Sequence, residues 1–146
     1  MYTLTVAHTH TYYVLVGDTP VLVHNVGEFP VTGAPHGKMS EAASRERLQN
    51  EGFDNITPEV RFRTAGGVEF RGDFVARDPD GNWVAVEVKT GQGAMITPNQ
   101  EVGYPKLSST GAIVDTRKLA QFWFPQGSAV RMQVGIDIWR CPSCGS

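Results

Sequence analysis

Three acidic residues and one lysine in the middle of this chain have the types and the spacing of a cation-binding site. Asp73 precedes Glu87 by fourteen positions, and Lys89 follows Glu87 after a single residue, Val88. Carboxylate and main-chain carbonyl oxygens are ligands that Mg²⁺ and Mn²⁺ prefer, so Asp73, Glu87 and the Val88 carbonyl form a candidate ligand set. Glu41 supplies a further carboxylate. A lysine beside such a site can orient a water molecule and help to deprotonate it, which predicts metal-assisted hydrolysis.

A turn between Asp73 and Glu87 predicts that the two carboxylates face each other. Residues 78–82 read Asp-Pro-Asp-Gly-Asn, a strong turn cluster, and the runs on both sides alternate as strands do. In an antiparallel hairpin with that loop, paired positions sum to 160, so Asp73 lies opposite Glu87 and Lys89 shares their face. Facing carboxylates repel each other, and a cation would offset the repulsion. A bulge in the loop would instead separate the acids onto opposite faces. Three valines take the other face, toward a core: Val84, Val86 and Val88.

Residues 37–53 carry the pattern of a helix that would bring Glu41 toward this hairpin. The composition favours a helix, Ser40 is a candidate N-cap, and Gly52 is a natural end. Glu41 and Leu48 are seven positions apart and share one face within about 20°. If Leu48 anchors the helix to the core, Glu41 points toward the edge of the interior. Alternatively, Glu41 is only a first-turn acid favoured by the helix dipole.

A second helix is predicted to begin at Thr97. The run Thr97-Pro98-Asn99-Gln100 has the spacing of a capping box, with Pro at the first helical position. Gln100 and Tyr104 are four positions apart and therefore share a helix face. Gln100 has two interpretations, as the capping partner alone or as a residue of the site. Gly103 and Pro105 predict a short helix, which leaves the role of Tyr104 open.

Taken together, these residues resemble the PD-(D/E)XK nuclease superfamily over roughly residues 37–114. The family's Asp, (D/E)XK motif and first-helix Glu correspond to Asp73, Glu87-Val88-Lys89 and Glu41. Gly72 stands where many members have Pro. The resemblance implies an α/β (α+β) fold, a restriction-endonuclease-like αβββαβ core with a central mixed sheet. It also implies a metal-dependent endonuclease that hydrolyses phosphodiester bonds with Mg²⁺ or Mn²⁺.

The same resemblance implies a role for each site residue. Asp73, Glu87 and the Val88 carbonyl would bind the metal, Glu41 would bind the metal or its water, and Lys89 would activate the nucleophile. Gln100 and Tyr104 resemble the QxxxY motif of the recombination-nuclease branch, where they position nucleic acid near the metal. DNA is the expected substrate, by analogy only. The alternatives are an RNase of the same fold and a non-catalytic domain that binds nucleic acid or protein.

Residues 1–25 differ in composition from the remainder of the chain and predict a separate module. All Lys and Arg residues lie after Asn25, and residues 2–25 read as a β-hairpin with a turn at 17–20. The run YYVLVGDTPVLVHN resembles the C-terminal end of a Hint (intein-like) autoprocessing domain, with His24 and Asn25 at a latent cleavage site before Val26. We therefore expect a Hint remnant at 1–25 and, as in bacterial polymorphic toxins, a nuclease toxin domain at 26–146. If the remnant is itself active, the Asn25–Val26 bond should break spontaneously.

Composition limits the remaining classes. The 146 residues carry a net charge of −2, which counts mildly against a nucleic-acid partner. No apolar run is long enough to span a membrane, so no membrane insertion is expected. A classical signal peptide is also missing from the sequence, so the expected toxin is a secreted effector that uses another route and acts in the target-cell cytoplasm. A cognate immunity protein is its expected partner.

The remaining segments predict supporting structure. We expect a strand at 111–114, a helical or aromatic packing segment at 117–124, and a final strand at 129–139. Core burial is favoured over base stacking for Phe122, Trp123 and Phe124. Cys141 and Cys144 read as a tail or a local disulfide rather than a zinc site, because no histidine has a complementary spacing. His36 precedes the helix that carries Glu41 and could approach the candidate site, but an ordinary loop residue is the favoured interpretation.

Overall fold

The fold is described by a computed structural model, which covers the backbone of residues 3–6, 11–16, 19–28, 36–90 and 96–140 and the side chains of residues 40–90 and 96–139. Within these ranges the elements are β1 (Thr3–Val6), β2 (Thr11–Val16), β3 (Thr19–Glu28), α1 (His36–Asn50), β4 (Asp54–Arg63), β5 (Glu69–Arg77), β6 (Trp83–Thr90), α2 (Pro98–Ser108), β7 (Ala112–Val114), a 3-10 helix (Ala120–Phe122), β8 (Ala129–Val130) and β9 (Gln133–Arg140). The protein therefore belongs to the mixed α/β class. The run from α1 to β7 has the predicted element order αβββαβ.

The strands of the described residues form a nine-stranded mixed sheet in the order β1-β2-β3-β9-β6-β5-β4-β7-β8. Strands β3 and β6 lie parallel to β9, and the other neighbours are antiparallel. The predicted N-terminal hairpin is present as β2 and β3, but Thr19 and Pro20, which were predicted in its turn, already belong to β3, and β1 pairs with β2 as a further strand. Strand β3 runs past position 25, so this hairpin extends the sheet that carries the candidate acids.

The hairpin of β5 and β6 has the predicted loop and register. The Asp78 carboxylate accepts the N–H groups of Asp80 and Asn82 at 3.0 and 2.8 Å, and Gly81 adopts a φ of 88°. This turn fixes Arg77 opposite Trp83 and Phe74 opposite Val86. The two residue numbers of each pair sum to 160, as predicted, so the loop contains no bulge residue.

Helix α1 begins earlier than predicted. Ser40 is not its N-cap but a buried residue of the helix, because α1 starts at His36. The end at Gly52 is confirmed: its φ is 89°, its N–H reaches Gln49 O, and the Phe53 N–H reaches Leu48 O at 2.9 Å. This is the Schellman arrangement, which favours glycine. The predicted anchor Leu48 is fully buried.

Helix α2 is longer than predicted because Gly103 and Pro105 do not end it. Its capping box is confirmed by both bonds, Gln100 N to Thr97 Oγ1 at 3.1 Å and Thr97 N to Gln100 Oε1 at 2.9 Å. Gly103 lies against the ring of Phe70, where a Cβ would come within 2.2 Å of a ring carbon. Glycine is therefore required here by packing, and α2 continues through it to Ser108.

The C-terminal third partly matches the predictions. Strand β7 is confirmed, whereas the predicted strand 129–139 is divided into β8 and β9. Phe122 and Phe124 are half-buried with ring centroids 5.3 Å from that of Trp83, as predicted. The expectation of burial is wrong for Trp123, which ends the 3-10 helix with a left-handed φ of 72° and is 90% exposed. Residues 141–146, with both cysteines, lie outside the described residues.

Buried side chains hold the sheet between the helices. A large cluster joins α2 to the sheet through Tyr104 and Leu107, and a smaller one joins Leu48 of α1 to Phe74 and Val86. Val84 and Val88 pack against the smaller cluster, as the alternation of β6 predicted. Among the described residues, no helix has the length and apolar character needed to cross a membrane.

Candidate active site

Asp73 and Glu87 meet where the β5–β6 ladder ends. The final backbone pair of this ladder is Phe74 with Val86, so the next positions inward are these two acids. Beyond the ladder, a side chain links the two strands: Oδ2 of Asp73 on β5 accepts the Val88 N–H of β6 at 2.8 Å. The carboxyl groups of Asp73 and Glu87 also share a hydrogen bond. The predicted convergence of these acids is thus present in the structure.

Glu87 is buried and held at both carboxyl oxygens. Only 4% of the residue is exposed. Gln100 Nε2 donates to Oε2 at 2.6 Å, Tyr104 donates its hydroxyl proton to the same oxygen, and Lys89 Nζ lies 3.5 Å from Oε1. These contacts fix the orientation of the Glu87 carboxyl. Glu87 belongs to β6, but the two side chains that donate hydrogen bonds to it belong to α2.

Burial raises the pKa of the Glu87 carboxyl to about 8, and the hydrogen bond and the charge of Asp73 act in the same direction. The Tyr104 hydroxyl and the Lys89 ammonium lower it by less. With this pKa the Glu87 carboxyl is mostly protonated at pH 7, and in that form it can donate to Asp73. The pKa of the Tyr104 hydroxyl is raised well above its usual range by burial and by Glu87, so this hydroxyl stays a donor.

Glu41 reaches the same pair of strands from α1. Its carboxyl is hydrogen-bonded to Asp73, and burial, Asp73 and Glu59 raise its pKa, in that order of size. The second turn of α1 is fixed against β6 by a hydrogen bond of 2.6 Å from Thr90 Oγ1 to Ser40 Oγ. Glu41 is therefore more than a surface acid of the helix, because it lies in contact with Asp73.

Gln100 acts at two places, so the two interpretations of its role do not exclude each other. Its Oε1 caps α2, while its Nε2 donates to Glu87 and to Arg71 O at 2.9 Å. Tyr104 is fully buried and also reaches Arg71 O, at 3.2 Å. Both side chains thus tie Glu87 to the backbone of β5. Because both are buried, the structure places them behind the acid rather than on an open surface.

Some predicted site residues are only partly described. The Val88 N–H is bound by Asp73, and the role of its carbonyl stays a prediction. His24 and Asn25 lie in β3, but their side chains are outside the described part of the chain. His36 is the first residue of α1 rather than a loop residue.

Two features near the acids were not foreseen from the sequence. The guanidinium of Arg47 on α1 makes a bidentate pair with the buried Asp137 on β9, at 2.9 and 2.7 Å. A polar cleft also opens beside the acids, and Arg61 and Arg71 line it. The alternating arginines of the sequence were a signal for the cleft. The ion pair spans 90 positions and leaves no local pattern.

Among the described residues, no group of three or more His, Cys, Asp and Glu side chains has a ready-made arrangement for a metal ion. The three acids form a chain of contacts, with Asp73 in the middle. Comparison with protein-family models, with curated proteins and with solved structures finds no match to this chain.

Proposed function

We propose that this protein is a metal-dependent nuclease with a restriction-endonuclease-like core. The observation that supports it is the contact of Glu41, Asp73 and Glu87 from three different elements, with Lys89 beside them. A protonated carboxyl group can release its proton when a divalent cation binds in its place. The ligand atoms that these three acids offer are all hard oxygens. Asp73 and Glu87, with Glu41, would hold Mg²⁺ or Mn²⁺, which supplies a water of lowered pKa and stabilises charge on a phosphate.

The protein's own residues have distinct tasks in this proposal. Lys89 orients the attacking water and stabilises negative charge on the phosphate, because its Nζ lies at the edge of the acid cluster. Gln100 and Tyr104 position Glu87 through its Oε2 rather than contacting substrate themselves. In the hydrolysis, the water oxygen bonds to phosphorus and gives up one proton to solvent, the bond between phosphorus and the leaving oxygen breaks, and the leaving oxygen takes up one proton from solvent.

The proposed biological setting follows from the N-terminal resemblance to a Hint domain. We take residues 1–25 as a Hint remnant and the following chain as a toxin domain, with DNA as substrate and a cognate immunity protein as partner. An intact mass after storage supports a remnant without activity, whereas two fragments divided at Asn25–Val26 would show an active one.

Nicking of supercoiled plasmid is the direct test of the nuclease proposal. We expect nicking with Mg²⁺ or Mn²⁺, loss on addition of EDTA, and a loss of about 10²-fold or more in Glu87→Gln and Asp73→Asn. Glu46→Gln is the matched control, because Glu46 is an exposed acid of α1. A parallel incubation with RNA separates the two substrates. DNA and RNA that stay intact while still being bound would favour the non-catalytic alternative.

A further inference from the structure

A cleft of about 500 Å³ lies beside the acid cluster. It is bounded by β4, β5 and the segment after β7, and its lining consists of Glu59, Arg61, Arg71, Asp115, Thr116, Arg117, Lys118 and Gln126. Four of these side chains are cationic and two are acidic, although the whole chain carries a net charge of −2. The lining of the cleft is therefore positively charged overall, whereas the chain as a whole is negatively charged.

The arrangement of the arginines favours an anion in the cleft. Arg61 and Arg71 are directly opposite each other on β4 and β5, where like charges destabilise a sheet. Within residues 40–90 and 96–139, no salt bridge joins Arg61, Arg71 or Arg117 to a carboxylate. These three guanidinium groups therefore form no ion pair within those ranges, although Arg71 also acts electrostatically on Glu41. Guanidinium groups match phosphate oxygens in geometry.

Lys118 fixes the wall of the cleft. Its ammonium donates to Pro58 O and Glu59 O, both at 3.1 Å, and so fastens the segment after β7 to β4. One acidic residue of the lining, Asp115, accepts a bond from Gln126 at 3.3 Å. The cationic walls are therefore held in place by contacts that involve none of the three arginine side chains.

Two residues of the cleft lining, Glu59 and Arg71, also act on the acid cluster, because both influence the Glu41 carboxyl. Arg71 lines the cleft, and its carbonyl accepts from the Gln100 amide, which also donates to Glu87. Glu59 also lines the cleft and lies close enough to Glu41 to act on its carboxyl. Arg71 is also only two positions from Asp73 on β5, so the arginines of the cleft and the acid cluster are neighbours in the fold.

We propose that this cleft binds the sugar–phosphate backbone of a nucleic acid next to the scissile phosphate, with Arg61, Arg71 and Arg117 as the phosphate contacts. The proposal rests on the nuclease function proposed above and adds the surface by which substrate is held. Phosphate contacts fix register and orientation and carry no base sequence. The cleft therefore gives affinity without sequence preference.

The test measures binding separately from cleavage. Fluorescein-labelled DNA is titrated with the full chain carrying Glu87→Gln, in EDTA, at several salt concentrations. Arg61→Gln, Arg71→Gln and Arg117→Gln are added singly and together, and Arg63→Gln is the matched control, because Arg63 is an exposed arginine of β4 outside the cleft lining. Thermal unfolding checks the fold, and relief of the like-charge pair should leave the Tm of Arg61→Gln equal to or above that of its parent.

We expect the triple variant to bind about tenfold or more weakly, and the slope of log K against log salt to fall by about 0.9 for each duplex phosphate that the protein no longer neutralises. Unchanged affinity and slope in a folded triple variant would overturn the inference. A second result would also overturn it: polyglutamate that displaces the labelled DNA as well as unlabelled DNA of equal charge does. The cleft would then fit an acidic protein. Binding through the arginines without any cleavage by wild type would instead overturn the nuclease proposal alone.

Discussion

Replacement of Glu87 by Gln should stabilise the protein at alkaline pH while it removes activity. The folded carboxyl has a pKa of about 8, against an ordinary value of 4.5. The native state therefore binds the proton more tightly than the unfolded chain does. The resulting stability is fully present below pH 4.5 and is lost as the pH rises through about 8. At about 1.4 kcal/mol per pH unit, the full loss is on the order of 5 kcal/mol.

Glutamine reproduces the protonated carboxyl at this position. Its amide N–H can donate to Asp73, and its carbonyl can accept from Gln100 and Tyr104, the donors that now hold Glu87. The variant should match wild type near pH 5 and exceed it at pH 9 by several kcal/mol, or roughly 10–20 °C in Tm. Glu41, whose pKa is raised by burial and then by Asp73, leaves a smaller pH dependence in both proteins.

Urea unfolding followed by circular dichroism, in EDTA at pH 5, 7 and 9, measures this difference. Glu46→Gln is the control, because an exposed acid of the same type should leave the wild-type profile unchanged. Parallel stability profiles for wild type and Glu87→Gln would refute the reasoning, since the buried carboxyl would then have no raised pKa to lose.

Three further substitutions test the scaffold and the surface. Asp137→Ala removes the buried partner of Arg47, leaves its guanidinium only the exposed Glu51, and should cost about 3 kcal/mol in urea unfolding. Asp54→Ala, which breaks the exposed pair with Arg77, should leave stability close to wild type. Equal effects of the two would contradict the importance of burial. Trp123→Ala should preserve stability, because Trp123 is 90% exposed, and should weaken binding of single-stranded DNA by about 1–3 kcal/mol. Unchanged affinity would show that this ring stacks on no base.

Local chemistry explains what could be predicted from the sequence. The turn at 78–82 sets the register of β5 and β6, because Asp78 and Gly81 close it without an extra residue. The capping box at Thr97 and the left-handed Gly52 set the ends of the helices. From these local signals alone, Asp73 can be placed beside Glu87 and Gln100 on the helix that follows.

Long-range contacts account for the features that could not be predicted. Strand β4 contains Pro58 and two residues of left-handed φ, Asn55 and Glu59, which local propensity does not favour in a strand, yet it pairs with β5. The pairing of β3 with β9 joins segments more than 100 positions apart, and no local pattern records it. Helix propensity alone predicts that Gly103 ends the helix, and only its packing against Phe70 explains why glycine stands there.

Calorimetric titration of Mn²⁺ into the full chain at pH 7, in two buffers of different ionisation enthalpy, tests the central claim most directly. Wild type should bind the ion and release about one proton, because Glu87 must lose its proton to become a ligand. Asp73→Asn and Glu87→Gln should bind at least tenfold more weakly, and Glu46→Gln should bind as wild type does. Mn²⁺ binding of equal strength in wild type and Asp73→Asn, without proton release, would contradict the account.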